Sequence, residues 1–329
     1  MVGSLAVGAC SGSGGGGSGG RKVTVYSGRT QNLIEPILND FATETGIGVS
    51  VRYGQSADLA LLIAEEGDKS PADVFLSQSP GSVGFLDARG LLGPLPDDVL
   101  TRVATGLRAS DGHWVGFSGR KRVLVFNPEK LGEAQLPTSV LDLTDPQWKG
   151  RIGVAPSNAS FQDFVSAMRI KLGDDATVAW LEGIVENDAF TFANNTAIVA
   201  AVGRGELDLG LVNHYYVYQA RAEDPGFVGR NFDLPPDDIG SLLIVTAAAV
   251  LKGSARSDEA AQLVRFLLEE KAQRYFSDQT YEYPLATGVA AATVLPPASF
   301  DGVSGIELDE LGKDLESTRT MIRDAGLEG

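Results

Sequence analysis

The strongest constraint on this chain's fold is an alternation that runs through it twice. Residues 23–26 (Val-Thr-Val-Tyr) form a short β-type run, and Ser27–Thr30 read as a turn. Leu33, Ile34, Ile37, Leu38 and Phe41 then recur at helical spacing, and Gly46 ends the helix. A second strand over Val49–Tyr53, a second helix over Leu59–Glu66 closed by Gly67, and a third strand over Asp73–Leu76 follow. Strand, helix, strand, helix, strand is the order of a parallel sheet, whose neighbouring strands need a crossover between them. The pattern returns with a strand over Arg151–Ala155, helices over Phe161–Leu172, Ala176–Glu186 and Ala197–Arg204, and a strand over Leu207–Val212.

Two long extended stretches, Val115–Phe126 and Ser241–Val250, read as connections between these units, and the chain returns to helix at Glu259–Glu270. The expected architecture is α/β, with a first lobe visited twice and joined to a second by two hinge strands. The boundaries read as 1–20 for an N-terminal linker, 21–119 plus about 246–296 for the first lobe, and 120–245 plus about 297–329 for the second. Ligands of open α/β sheets bind at the carboxyl ends of strands, so the expected site is a cleft between the lobes. The turns to examine are 27–30, 77–80, 156–160 and 213–216.

The start of the chain addresses location. Leu5–Ala9 is small and apolar and leads into Cys10, the chain's one cysteine, in the manner of a bacterial lipoprotein signal. The basic segment that usually opens such a signal is missing, since the first cationic residue is Arg21. Ser11–Gly20 is entirely Gly and Ser, a flexible tether that cannot bury a core. No Gly-Lys-Ser/Thr follows it, which removes a P-loop reading. The expectation is a chain lipidated at Cys10 and held on the outer face of the cytoplasmic membrane. The alternative is a disordered terminus with a chance cysteine.

Composition excludes more than it selects. A net charge of −16, from 43 acids against 27 bases, argues against a nucleic-acid partner. One cysteine rules out an internal disulfide, and no HExxH or paired Cys/His motif offers a zinc site. No nucleophile elbow is present, so no enzymatic motif emerges. Of the two histidines, His113 sits beside Trp114 in a polar turn with no evident role, and His214 reads as a surface or supporting residue.

The turns named above carry a family resemblance. The stretches Val25–Arg29, Glu65–Phe75, Gly116–Arg120, Trp148–Gly153, Ala155–Phe161, Asn194–Ala197 and Asn213–Tyr216 resemble, in that order, the ferric-iron-binding proteins of bacterial ABC importers, the periplasmic "bacterial transferrins". The resemblance implies a two-lobe periplasmic-binding-protein fold of type II. It also implies Fe3+ as cargo and an importer permease as partner, with a monomer and no enzymatic activity. The adjacent ligand tyrosines of that family match Tyr215 and Tyr216. Fe3+ is a hard cation that favours anionic oxygen, and a phenol stays neutral, hence tolerable in a cleft, until the metal displaces its proton. On an extended chain two adjacent side chains point opposite ways, so both converge only at a turn or helix start. A core-packing role for Tyr215, Tyr216 and Tyr218 is the competing reading.

The chain departs from the family at two positions. Thr30 stands where a histidine is usual, and Gln78 where a glutamate is usual. Helix capping by Thr30 and a solvated loop position for Gln78 are the plain alternatives. The resemblance offers instead a bound anion (carbonate, phosphate or citrate) cradled by Arg120, Asn158, Ala159, Ser160, Asn195 and Asn213, with Arg29 as a second source of charge. Lys121 and Arg122 read as a solvated basic run, and Tyr26 and Tyr283 as reserve iron ligands. A binding protein of the same fold for another cargo, such as a phosphonate, polyamine or oxyanion, is the rival reading.

Overall fold

A computed structural model describes residues 21–298 and 306–327. Its strands are β1 (Lys22–Ser27), β2 (Gly48–Tyr53), β3 (Val74–Ser77), β4 (Leu92–Gly93), β5 (Trp114–Phe126), β6 (Ile152–Val154), β7 (Phe190–Thr191), β8 (Leu209–Asn213), β9 (Arg230–Phe232), β10 (Leu243–Leu251) and β11 (Tyr283–Pro284). The helices are α1 (Gln31–Thr45), α2 (Ser56–Glu66), α3 (Pro80–Asp87), α4 (Asp97–Leu100), α5 (Ala159–Leu172), α6 (Asp174–Glu186), α7 (Asn195–Gly203), α8 (Tyr215–Glu223), α9 (Ser257–Leu267), α10 (Glu270–Asp278) and α11 (Leu315–Asp324). None of the described helices is long and apolar enough to cross a membrane. Cys10 and the Gly/Ser stretch lie outside the described residues.

The strand order β2-β1-β3-β10-β5-β8-β6-β7 follows from the alternation in the sequence. β1 runs parallel to β2, with Val25 opposite Val51, and parallel to β3, with Val25 opposite Val74. The crossover between β1 and β2 is α1, which buries the stripe Leu33, Ile34, Ile37, Leu38 and Phe41. Gly46 ends α1 at φ 68°, a left-handed conformation in which a glycine carries no Cβ penalty.

The two connections are adjacent antiparallel strands. The first part of β5 pairs with β10, Trp114 opposite Ala249 and Lys121 opposite Leu243. Its second part pairs with β8, Arg122 opposite Asn213 and Phe126 opposite Leu209. One strand therefore belongs to two sheets, each with its own core. Val25, Phe75, Phe117, Ala248 and Phe266 pack in one cluster, and Phe126, Trp148, Phe164, Trp180 and Leu211 in another. The register of β10 shifts between Thr246 and Ala247, where the chain passes the middle of the molecule.

The C-terminal segment departs from the expected division. Ile306, Leu311, Ile322 and Leu327 join the second core, but Leu315 joins the first. Thr318 hydrogen-bonds Ser166 of α5 at 3.1 Å, while Arg319 pairs with Asp58 of α2 at 2.9 Å. The segment thus lies across both units rather than on the second alone.

Candidate metal and anion site

β8 ends at Asn213 and α8 begins at Tyr215, so the tandem tyrosines stand on a helix start. Both rings therefore project to one side, stacked at 4.1 Å between centroids and 29° between planes. Tyr215 is fully buried, and its phenol oxygen has no hydrogen-bond partner within the protein. Burial pushes its pKa well above the ordinary phenol value, and a charge on Tyr216 would push it further; Arg120 and Arg29 act the other way. At neutral pH Tyr215 is a neutral phenol. Tyr216 is half-buried and lines a cavity of about 490 Å³.

That cavity gathers the turns from both units. Arg29, Thr30, Tyr53, Gln55 and Gln78 come from the first, and Asn158, Asn194, Thr196, Tyr216 and Gln219 from the second. Thr30 precedes α1 without a side-chain cap and is exposed at the cavity wall. Gln78 is 5% exposed, so it is a buried wall residue rather than a solvated loop position. Among the lining residues Arg29 is the one charged side chain.

A hydrogen-bonded cradle lies behind this wall. Asn158 caps α5, its Oδ1 accepting from the Ser160 N–H at 3.1 Å. Asn213 donates to the Ser160 hydroxyl at 3.0 Å, Arg122 donates to Asn213 Oδ1 at 3.1 Å, and Asn195 donates to Asn158 at 3.5 Å. Ala159 opens α5 and is 4% exposed. These residues hold the positive end of the helix toward the cavity.

Arg120 and Arg122 stand two apart on β5 and so point to the same face, away from Lys121. The reading of Lys121 and Arg122 as a solvated run fails here. Arg122 is fully buried, its pKa lowered to about 9 by that burial, and Lys121 is half-buried in an ion pair with Asp233 at 2.8 Å. Arg120 donates to Thr246 at 3.3 Å, while its Nε and Nη2 have no partner in the protein. Among the described residues neither Arg120 nor Arg122 forms an ion pair with a carboxylate. Two buried guanidiniums with no carboxylate at ion-pair distance form an anion-seeking pair behind the cavity wall.

Three other expectations need correction. Arg29 is paired with Glu282, with bonds of 2.8 Å and 2.6 Å to the two carboxylate oxygens, so its charge is balanced inside the protein although its Nε has no partner there. Of the two roles read for His214, surface or supporting, burial removes the first. His214 is 3% exposed, stacks on Tyr283 at 4.9 Å and accepts from the Lys121 N–H at 3.2 Å; burial lowers its pKa to about 4 and keeps it neutral. Tyr26 donates to Glu66 at 3.1 Å and Tyr283 to the Pro296 carbonyl at 3.0 Å, and neither lines the cavity. Glu282 was not singled out by the sequence, because its partner lies 253 residues away and no local pattern marks the pair.

The family description for bacterial extracellular solute-binding proteins matches residues 69–302. The Fe(3+)-binding periplasmic protein of Serratia marcescens is 34% identical over 280 residues, covering 84% of this chain and 82% of that one. The chain belongs to the bacterial periplasmic ferric-iron-binding protein family. It is accordingly an extracytoplasmic solute-binding transport protein and not an enzyme. Among solved members, iron-bound HitA of Pseudomonas aeruginosa superposes with a TM-score of 0.88 at 34% identity, covering 93% of this chain and 100% of that one. A Trichodesmium protein (IdiA, FutA) in complex with iron and citrate ligands gives 0.76 at 28% identity, covering 93% and 100%. The α/β periplasmic-binding-protein fold is therefore the fold of this family member.

Proposed function

We propose that this protein captures Fe3+ together with an anion between its two lobes and delivers the pair to an ABC importer. The observation that carries this reading is the stacked pair Tyr215 and Tyr216 at the start of α8, together with two guanidiniums that lack a carboxylate partner. Phenolates are the hard anionic donors that ferric iron prefers, and the arginine charge favours losing the phenol protons. Two tyrosinates leave one positive charge on Fe3+ and open coordination positions. Thr30 and Gln78 are neutral and cannot supply the missing charge.

An anion fills both needs. Arg120 and the α5 cradle supply its binding groups, and a cavity of about 490 Å³ has room for a chelate as large as citrate. The Trichodesmium relative, whose complex contains iron and citrate, supports that cargo class. Titration with ferric citrate tests the reading. Tyrosinate-to-iron charge transfer should colour the protein, and an anion without iron should not. Absence of that band at saturating ferric citrate would favour the rival cargo, an anion alone.

Anion dependence separates the role of buried Arg120 from that of Gln78 in the cavity wall. In non-coordinating buffer wild type is expected to bind iron weakly until carbonate, phosphate or citrate is added back. Arg120→Ala should lose about 10- to 100-fold in affinity, the loss typical of groups that support a metal's ligands. Gln78→Ala should change it by less than Arg120→Ala. Equal binding by wild type with and without anion would overturn the anion's part.

Anchoring is a separate proposal and rests on the sequence at Leu5–Gly20. Two acyl chains on Cys10 would hold the protein stably at the membrane, with Ser11–Gly20 as the tether. Expressed with a complete signal, Cys10→Ser should move from the membrane fraction to the soluble fraction. Retention equal to wild type would remove the lipoprotein reading.

A further inference from the structure

Iron and anion capture leaves one buried carboxyl unused. Asp163, in the second turn of α5, is 1% exposed. It meets α3 of the other unit so closely that a Cβ at Gly81 would collide with its Oδ1 and would lie 3.3 Å from the Leu311 carbonyl. Three segments therefore meet at Gly81: α3 of the first lobe, α5 of the second through the Asp163 carboxyl, and the C-terminal segment through the Leu311 carbonyl. Asp163 Oδ2 has no hydrogen-bond partner, and no cation reaches ion-pair distance among the described residues. An ionised carboxylate in such a place is costly, and such a group neutralises instead.

We propose that Asp163 is a positioning residue that couples closure of the lobes over cargo to the uptake of one proton, acting through Arg120 and Arg122. This rests on the iron-capture reading above. The groups that bear on Asp163 are known from each side. From β5 come the charges of Arg120 and Arg122, and from the start of α3 the hydroxyl of its capping residue Ser79 and the Gly81 N–H. Burial outweighs all the groups that favour ionisation and raises the carboxyl to about 7. Opening the lobes parts α3 from α5, hydrates the carboxylate and returns it toward the ordinary aspartate value of about 4. A protonated Asp163 leaves the charge of Arg120 and Arg122 available to the cargo's anion and to the tyrosinates.

The sign follows from the raised pKa. Closure is fully favoured below the ordinary carboxylate range, weakens about tenfold per pH unit above it, and levels off above about 7. Calorimetry of ferric citrate binding at pH 6, in buffers of different ionisation enthalpy, reads the proton directly. Asp163→Asn is expected to release about one more proton per iron than wild type at pH 6, with no difference at pH 8.5. At pH 7.5 it should bind at least about tenfold more tightly, because the neutral amide carries no charge into the closed form. Equal proton release by the two proteins at pH 6, with the charge-transfer band present in both, overturns the role of Asp163 while leaving iron capture intact. If Asp163→Asn does not fold, wild type labelled with 13C at aspartate Cγ and loaded with gallium(III), a diamagnetic stand-in, decides the matter by NMR. One carboxyl should then titrate near 7, and all carboxyls titrating in the ordinary range would overturn the proposal.

Discussion

Replacing Glu282 by glutamine is expected to destabilise the protein by about 3–5 kcal/mol, the loss typical when one partner of a buried ion pair is removed. Arg29 and Glu282 are both fully buried, and the pair is bidentate. Glutamine keeps the shape and one acceptor, but leaves the guanidinium charge in a dry site. The Arg29 Nη1 also donates to Thr246 at 3.1 Å, the same hydroxyl that accepts from Arg120. The damage would therefore reach the β10 strand that joins the lobes. Scanning calorimetry should record a fall in Tm of roughly 4–7 °C, from about 1.5 °C per kcal/mol for 329 residues at about 2.1 cal/mol/K each. The pH dependence provides an internal check. Burial raises the Glu282 pKa, but the Arg29 charge and hydrogen bonds outweigh it, and the net shift is downward. A depressed carboxylate contributes stability that is present above its ordinary range and is lost as pH falls. The gap between wild type and Glu282→Gln should accordingly be full at pH 7 and close in acid. A Tm within 2 °C of wild type at pH 7 would mean that the pair carries little of the fold's stability.

Tyr215→Phe and Tyr216→Phe are each expected to weaken ferric binding by more than about 100-fold, beyond the loss typical of a residue that merely supports a ligand. The phenylalanines preserve the stacking at 4.1 Å and remove one oxygen each, so the fold should survive. Tyr215→Phe removes a buried hydroxyl that has no partner in the protein, and its Tm should equal or exceed that of wild type. Loss of the charge-transfer band together with retained stability would separate an iron ligand from a packing residue. A band of wild-type intensity in either variant would return that tyrosine to the core-packing role.

How legible the protein was in its sequence varied with the range of the interactions involved. The α1 stripe from Leu33 to Phe41 and its Gly46 stop were readable because helical periodicity and a left-handed cap are local properties. Boundaries slipped where caps decide them. α5 begins at Ala159 rather than Phe161 because Asn158 supplies the cap, and α7 begins at Asn195 because Asn194 does. The short helix α8 was not foreseen, although the condition that both tyrosines converge only at a turn or helix start anticipated its position. Lys121 and Arg122 were misread as a solvated run because strand alternation and burial act together: Arg122 turns inward with Arg120, and Lys121 turns toward Asp233.

The sequence by itself determined the family, the α/β alternation and the tandem tyrosines, since each is written in contiguous residues or in their order. Tertiary structure alone decided where the charges go. Arg29 meets Glu282 across 253 residues, and Asp163 of one lobe meets Gly81 of the other. The energy of a buried charge depends on what surrounds it in space, and no sequence spacing encodes that distance. Arg29, read as a second source of charge for the anion, pairs with Glu282 in the fold, while Arg120, read as an anion ligand, and Arg122, read as solvated, are both buried with no carboxylate at ion-pair distance.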